Sequence, residues 1–244
     1  MENNSPLRLL KFSYIFCLIC VFGCRESPAS NAQKNAVVTP VEESAASGVS
    51  EVTPTGTILF FGDSLTAGLG LDPNLAFPGL LQQRLDSLGY SYQVINAGLS
   101  GETTASGKNR LGWVLNQPVD VFVLELGAND GLRGIPLTET RKNLKAMIGQ
   151  VREKYPDVVI VLAGMQLPPN MGPEYTDEFR KLFPQLAQSE DVLLIPFLLQ
   201  DVGGIPELNQ EDGIHPTAAG HAIVAENVWA VLQEAVQSPS RKAS

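Results

Sequence analysis

Cysteine and histidine are scarce in this chain of 244 residues. The three cysteines, Cys17, Cys20 and Cys24, all fall within the first tenth of the sequence. Disulfides, cysteine-ligated zinc and a cysteine nucleophile are therefore excluded for the rest of the chain. Only two histidines, His215 and His221, could supply imidazole chemistry. Neither has carboxylates at a convincing ligand spacing, so the sequence predicts no bound metal and no other cofactor.

Basic residues are also in short supply. The sequence has 17 Lys and Arg against 26 Asp and Glu, which gives a formal net charge of −9. This excess of acid argues against nucleic-acid binding, because phosphate backbones favour clustered positive charge. It argues equally against electrostatic docking on anionic lipid head groups. The length of 244 residues allows one domain with extensions or two small domains.

No apolar run near the N-terminus is long enough to span a membrane. Arg8 and Lys11 precede an apolar stretch at 12–22, which is shorter than the ~20 residues of a spanning helix and predicts a signal peptide over 1–23. The stretch is followed by Gly-Cys24 and resembles a bacterial lipobox. The resemblance implies that Cys24 carries lipid and that this anchor is the only membrane contact. It also implies export to the bacterial cell envelope, facing the periplasm, at the outer membrane in a Gram-negative cell; a plain cleaved signal peptide is the alternative.

Composition sets the remaining boundaries. Residues 24–54 are rich in Ala, Ser, Asn, Val, Glu and Pro without sustained periodicity, which predicts a flexible tether with a span of roughly 30 Å. One globular domain is expected over 55–238, where apolar runs alternate with amphipathic stretches. Residues 239–244 are expected to form a disordered tail.

Five short apolar runs within the domain predict strands. Because their apolar residues do not alternate with polar ones, they are expected to be buried on both faces, as in a parallel sheet. The runs lie at 58–61, 94–95, 121–126, 158–162 and 192–195. Helical spacing is found over 77–88 with Gly89 as a stop, over 144–155 after a Thr138 cap, and over 224–235. This alternation predicts an α/β fold of three layers, α/β/α, around a five-stranded parallel sheet.

Small and polar residues follow the predicted strands, at the sheet edge where open α/β proteins carry their functional sites. Ser64 stands at the first strand-to-helix junction, within Gly-Asp-Ser-Leu. A serine hydroxyl is a poor nucleophile and needs a base within hydrogen-bonding distance. His215 is the better candidate, because Pro216 holds its loop partly extended and Asp212 can fold back to orient the imidazole.

Each candidate also has an ordinary structural interpretation. Asp212 could cap the last helix, and Gly98 after the second strand could simply permit a positive φ. Asn129 after the third strand is common turn chemistry. His221 falls inside the final predicted helix and is expected to be structural or exposed. Glu125, within an apolar strand, is expected to be a hydrogen-bonded buried carboxyl.

The ordered set of blocks is more specific than any single one. It comprises Gly62-Asp-Ser-Leu65, Gly98, Gly127-Ala-Asn-Asp130 and Asp212-Gly-Ile-His-Pro216. Over about residues 56–236 this order resembles the SGNH (GDSL-type) hydrolase superfamily. Segments such as Ser100-Gly-Glu-Thr-Thr104 are similar to the branch of bacterial periplasmic thioesterase/lysophospholipase enzymes and arylesterases.

The resemblance implies a flavodoxin-like fold and a serine mechanism. By it, Ser64 is the nucleophile, His215 the general base and Asp212 the residue that orients the base. The oxyanion hole would comprise the backbone N–H groups of Ser64 and Gly98 and the side-chain amide of Asn129. The implied function is a monomeric serine esterase that hydrolyses small-molecule acyl esters, and with them thioesters or lysophospholipids.

The loop after the fourth strand gives the main indication of substrate. Its residues Leu167, Met171 and Tyr175 are expected to cover an acyl chain, which favours apolar acyl esters over compact sugar acetates. Two alternatives stay open: a carbohydrate O-deacetylase of the cell envelope, and a non-catalytic lipoprotein that binds ligands on the same scaffold. A nucleotide-binding protein ranks last, because the first strand is followed by neither a G-x-G-x-x-G fingerprint nor a P-loop lysine.

Overall fold

A computed structural model describes residues 54–237 of the chain. The predicted signal peptide, Cys24, the tether up to residue 53 and the predicted tail at 239–244 lie outside the described residues. Strands β1 to β5 span Gly56–Gly62, Tyr92–Gly98, Val121–Glu125, Val159–Ala163 and Leu193–Ile195. Helices α1 to α7 span Ser64–Ala67, Phe77–Ser87, Thr104–Val114, Ala128–Leu132, Leu137–Lys154, Pro173–Glu190 and Ala218–Gln237. Short 3-10 helices lie at Pro73–Leu75, Pro169–Met171 and Pro206–Leu208.

The five strands form one sheet in the order β2-β1-β3-β4-β5, and every neighbouring pair is parallel. All five strands and the parallel sheet were expected from the apolar runs and are confirmed. The three central strands are almost wholly buried, whereas the edge strands β2 and β5 are only half-buried along most of their length. The central strands are therefore buried on both faces, as expected, whereas the edge strands are not. Each edge strand has only one neighbouring strand.

Helices cover both faces of the sheet and complete the three layers. Helix α2 packs against α7, while α3 packs against α5 and α5 against α6. Phe77, Leu81 and Leu85 form the buried stripe of α2, as their spacing predicts. The Thr138 cap is wrong: α5 starts at Leu137 behind Pro136, without a side-chain cap. Proline at that position fixes φ, so the chain enters the helix without a hydroxyl acceptor.

The strand order places the functional edge of the sheet. The chain moves outward from β1 to β2 and then crosses back over β1 to β3. This reversal of direction opens a crevice at the carboxyl ends of β1 and its neighbours, where α/β proteins bind ligands. Ser64 follows β1 directly at this point. Within residues 54–237, the helices are all too short or too polar to cross a membrane.

Candidate active site

Ser64 is the first residue of the one-turn helix α1, immediately after β1. Asp63 caps this helix, and its Oδ1 accepts a hydrogen bond of 3.0 Å from Leu65 N–H. The turn ends at Gly68, which has the positive φ of 73° that glycine adopts without strain. These contacts fix the serine at the sheet edge, with only 8 % of its surface exposed.

A chain of hydrogen bonds, the relay, connects the side chains of Ser64, His215 and Asp212. His215 Nε2 lies 2.9 Å from Ser64 Oγ, and His215 Nδ1 lies 2.6 Å from Asp212 Oδ2. Asp212 Oδ1 accepts from the backbone N–H groups of Ile214 and His215, each at 3.0 Å. The hydrogen bond to the imidazole, followed by these two amides, lowers the pKa of Asp212 to about 2. Asp212 does not cap the last helix, because α7 starts only at Ala218.

Gln210 holds the histidine loop in place, a contribution that the sequence did not reveal. Its backbone N–H donates to the His215 carbonyl at 2.7 Å. Its side-chain amide donates to the carbonyls of Leu69 at 2.7 Å and Pro216 at 3.0 Å. These hydrogen bonds therefore stabilise the loop that carries His215 and connect it to the segment that follows Ser64.

Asn129 lies in the first turn of α4, after Gly127 with a φ of 122°. Its Nδ2 donates a hydrogen bond of 2.9 Å to Asp63 Oδ2, so one hydrogen of the amide is bound by the residue before Ser64. Asn129 and Ser64 both line the same cavity. The next residue, Asp130, is buried and accepts from Thr104 N–H at 2.8 Å, which fixes α4 against the start of α3.

The assignment of Gly98 to the oxyanion hole requires correction. Its backbone N–H already donates to Asn96 Oδ1 at 3.0 Å, and Gly98 is not among the residues that line the cavity. Nor does Gly98 have a positive φ. It is glycine because a Cβ there would lie 2.2 Å from the Ala67 nitrogen, so it permits the close approach of β2 to α1.

Gly101, three residues later, lies where Gly98 was expected. It lines the cavity beside Ser100, and its φ of 79° turns the chain in a conformation that favours glycine. Across residues 54–237, no hydrogen bond is made by the Gly101 N–H. The sequence signal was present in Ser100-Gly101-Glu102, but the conformation of this loop cannot be read from residue spacing.

The cavity has a volume of about 490 Å³. Besides Ser64, Asn129 and His215, its wall is mainly apolar and includes Leu65, Leu132, Leu167, Phe197, Leu199 and Ile214. Leu167 therefore lies where the sequence predicted. Met171 and Tyr175 instead border a separate depression at the N-terminal end of α6. The Tyr175 hydroxyl donates a hydrogen bond of 2.8 Å to the Ile135 carbonyl. The structure does not bring these two residues to the cavity.

Two other polar side chains are buried near the site. Glu125 Oε2 accepts hydrogen bonds, which confirms the predicted hydrogen-bonded buried carboxyl. His221 is buried in α7 and its Nδ1 accepts from Phe77 N–H at 3.2 Å, which confirms a structural role. Burial, followed by the charge of His215, lowers the pKa of His221 to about 4. Within the described part of the chain, no three His, Cys, Asp or Glu side chains are grouped so that they could hold a metal ion.

Comparison with known proteins gives matches across most of the domain. Residues 60–223 match the model of the GDSL-like Lipase/Acylhydrolase family. Esterase TesA of Pseudomonas aeruginosa is 42% identical over 178 residues, which cover 72% of this chain and 88% of that protein. The arylesterase of Vibrio mimicus is 39% identical over 76% of this chain and 90% of its own length. Thioesterase 1/protease 1/lysophospholipase L1 of Escherichia coli K12 is 36% identical over 75% of this chain and 86% of its own.

Solved structures show the same similarity in three dimensions. The crystal structure of TesA aligns with a TM-score of 0.71 at 42% identity, covering 73% of this chain and 99% of that one. The psychrotrophic esterase EstA from Pseudoalteromonas sp., inhibited by monoethylphosphonate, aligns with a TM-score of 0.69 at 32% identity. That alignment covers 73% of this chain and 97% of EstA. The three-layer α/β fold expected from the sequence is thus confirmed.

Proposed function

Because the chain belongs to the GDSL-like Lipase/Acylhydrolase family, we propose that it is a serine esterase that forms an acyl-enzyme on Ser64. The relay of Ser64 Oγ, His215 and Asp212, with spacings of 2.9 and 2.6 Å, carries the proposal. His215 takes the hydroxyl proton as Oγ attacks the ester carbonyl, and passes it to the leaving alcohol. Water then cleaves the acyl-enzyme by the same route. Asp212 remains ionised and stabilises the imidazolium in both steps.

Three donors are proposed to stabilise the oxyanion: the backbone N–H of Ser64, the backbone N–H of Gly101 and the side-chain amide of Asn129. Gly101 replaces Gly98 because it lines the cavity and its N–H has no hydrogen-bond partner among residues 54–237, whereas the Gly98 N–H donates to Asn96. Asn129 donates one hydrogen of its side-chain amide to Asp63, so the second hydrogen remains for the substrate. Donors fixed in advance in this way are typically worth about 3 to 4 kcal/mol each of barrier lowering.

The apolar wall of the cavity favours substrates with an acyl chain. Leu132, Leu167, Phe197 and Leu199 offer contact to methylene groups, and burying each methylene contributes about 0.8 kcal/mol. Acyl esters, thioesters and lysophospholipids all present such a chain beside an attackable carbonyl. The names of the relatives, esterase, arylesterase and thioesterase/lysophospholipase, support this substrate class.

A carbohydrate O-deacetylase is less well supported. Sugar sites generally stack on aromatic faces; the cavity wall offers the ring of Phe197 for this, and both tryptophans lie away from it. Trp113 is 84% exposed on α3. Trp229 lies on α7, where the Arg84 guanidinium covers its ring at 4.7 Å.

Hydrolysis of p-nitrophenyl esters from C2 to C16 by the purified protein, beside Ser64→Ala, tests the proposal. We expect turnover that disappears in Ser64→Ala and an optimum beyond acetate. Turnover that survives the substitution would contradict the serine mechanism. Activity confined to C2 esters and sugar acetates would favour the deacetylase, and a folded protein without any turnover would favour a ligand-binding scaffold.

We also propose that Cys24 is lipidated and anchors the domain in the cell envelope, facing the periplasm. The short apolar stretch at 12–22 and the Gly-Cys24 that follows it support this. Labelled fatty acid supplied to expressing cells should enter the wild-type protein and Cys20→Ser, but not Cys24→Ser. Equal labelling of both variants would contradict an anchor at Cys24.

A further inference from the structure

Glu125 is a buried acid at the end of the central strand of the sheet, next to the turn that carries Ser64. It is the last residue of β3 and is 1% exposed. Its register partner across the ladder is Gly62, two residues before Ser64. Glu125 Oε2 accepts from Asp63 N–H at 3.1 Å and from Thr66 Oγ1 at 2.8 Å. Glu125 Oε1 has no partner among residues 54–237.

Gly62 has no side chain, which leaves room for the Glu125 carboxyl to reach the turn. A Cβ on Gly62 would lie 2.5 Å from Glu125 Oε2 and 2.1 Å from Thr66 Oγ1. Any other residue at Gly62 would displace one of these groups. An apolar residue at position 125 would avoid the cost of burying a carboxyl. The acid therefore contributes something that core packing does not require.

That contribution is a chain of contacts that ends at the oxyanion donors. Glu125 accepts a hydrogen bond from the backbone N–H of Asp63. Asp63 in turn accepts a hydrogen bond of 2.9 Å from the side-chain amide of Asn129. The other oxygen of Asp63 accepts from Leu65 N–H at 3.0 Å and so fixes the turn around Ser64. The Ser64 N–H and the Asn129 amide thus owe their relative positions to one buried residue, Asp63, which is itself anchored on Glu125.

Electrostatics indicate which acid of the pair carries the proton. Burial, followed by the neighbouring charge of Asp63, raises the pKa of Glu125 well above its usual 4.5. Burial also raises the pKa of Asp63, but the hydrogen bonds that its carboxyl accepts from the Leu65 N–H and the Asn129 amide offset part of that effect. Two adjacent buried carboxyls cannot both ionise readily. The hydrogen bonds to the Asp63 carboxyl favour its charged form, so the pair binds a proton more readily on Glu125 than on Asp63.

We propose that Glu125 is a positioning residue for the oxyanion hole, acting on Ser64 and Asn129 through the Asp63 turn. It does not line the cavity and has no contact with substrate. The inference rests on the proposed function, because the donors matter only if an oxyanion forms. A positioning role of this kind changes the transition state and leaves ground-state binding nearly untouched.

Two substitutions separate this role from packing. Glu125→Gln keeps a carbonyl oxygen for Asp63 N–H and Thr66, so we expect its kcat to stay within about threefold of wild type. Glu125→Leu removes the acceptor, and we expect kcat to fall by about 10- to 100-fold while KM changes less than about threefold. Unchanged kcat in Glu125→Leu, or an equal loss in both variants, would overturn the proposal. A wild-type protein without esterase activity would contradict the proposed function instead.

A double-mutant cycle with Asn129→Ala supplies the decisive measurement. If Glu125 acts through the oxyanion donors, Glu125→Leu should lower kcat much less in the Asn129→Ala background than in wild type, because interacting sites are not additive. His221→Leu is the matched control: it also removes a buried polar side chain, and its effect should be equal in both backgrounds. An equal Glu125→Leu loss in both backgrounds would overturn the proposal.

Should circular dichroism show that Glu125→Leu is unfolded, Asp63→Asn tests the second link of the chain, from Asp63 to Asn129. Asp63 accepts from the Leu65 N–H and from the Asn129 amide with separate oxygens, and the single side-chain oxygen of asparagine can replace only one of them. We expect a fall in kcat that shrinks in the Asn129→Ala background. A loss that persists unchanged there would overturn the proposed link between the turn and the amide.

Discussion

The side-chain amide of Gln210 donates a hydrogen bond of 2.7 Å to the carbonyl of Leu69. These residues are separated by 141 positions in the chain, yet the contact joins the loop of His215 to the segment after Ser64. The same nitrogen donates to the Pro216 carbonyl at 3.0 Å. Gln210 thereby joins the segments that carry Ser64 and His215, although its side chain forms no hydrogen bond with the side chain of either residue.

Removing this hydrogen bond should disturb the spacing of Ser64, His215 and Asp212 without removing any of these residues. We expect Gln210→Ala to lower kcat by about 10- to 100-fold, because small displacements of reacting groups cost rate steeply. Gln233→Ala serves as the control and should behave as wild type, because this half-buried glutamine on α7 donates to the Ala230 carbonyl of its own helix. Steady-state kinetics on one p-nitrophenyl ester measure both, and wild-type turnover in Gln210→Ala would refute the positioning role.

Loss of the Asn129 amide should slow the chemical step specifically. We expect Asn129→Ala to lower kcat by about two to three orders of magnitude, the usual effect of removing one oxyanion donor. KM should change little, since the donor acts mainly on the transition state. Asn74→Ala, which alters an exposed asparagine that does not line the cavity, is the control. Turnover of Asn129→Ala within a few-fold of the parent would remove Asn129 from the oxyanion hole.

Filling the cavity should shift the preferred acyl chain length. Leu167 lines the cavity, so Leu167→Trp is expected to move the optimum of the C2 to C16 series toward shorter esters. Met171 lies in the same loop but borders the other depression. Met171→Trp should therefore leave the chain-length profile unchanged. A shift caused by Met171→Trp, or none by Leu167→Trp, would show that the acyl chain lies along a different wall.

The buried proton of Glu125 should be visible in the pH dependence of stability. Its pKa is higher in the folded state than the usual 4.5, so the folded protein holds a proton that the unfolded chain releases. The free energy of unfolding should then fall as pH rises from about 4.5 toward the folded-state pKa. We expect wild type to lose more stability than Glu125→Gln between pH 5 and pH 8 in urea titrations. Parallel losses in the two proteins would show that Glu125 is already ionised in the native state.

Much of the site follows from local sequence. Asp212 and His215 are three residues apart in a loop held by Pro216, and a contact of this range is settled by the local backbone. The position of Ser64 follows from a buried strand that ends in Gly62, because the next residues must turn out of the sheet at its functional edge. The strands, the parallel sheet and the relay are predictable for these reasons.

Contacts between loops required the tertiary structure. Gly98 ends β2 and Gly101 follows it three residues later, and only the tertiary packing shows that Gly98 permits the close approach of β2 to Ala67 while Gly101 borders the cavity. Leu167 and Met171 are separated by a few residues, but they face different depressions because the loop turns at Pro169–Met171.

The sequence by itself determined the strand and helix pattern and the proximity of Asp212 to His215, because these depend on side-chain periodicity and on neighbours within a few residues. Only the tertiary structure decided which N–H borders the cavity, which loop residues form its wall, and that Gln210 and Glu125 form hydrogen bonds with the segments around His215 and Ser64. Those features depend on hydrogen bonds between segments far apart in the chain. Their geometry is set by how the loops pack over the sheet edge, which residue spacing does not encode.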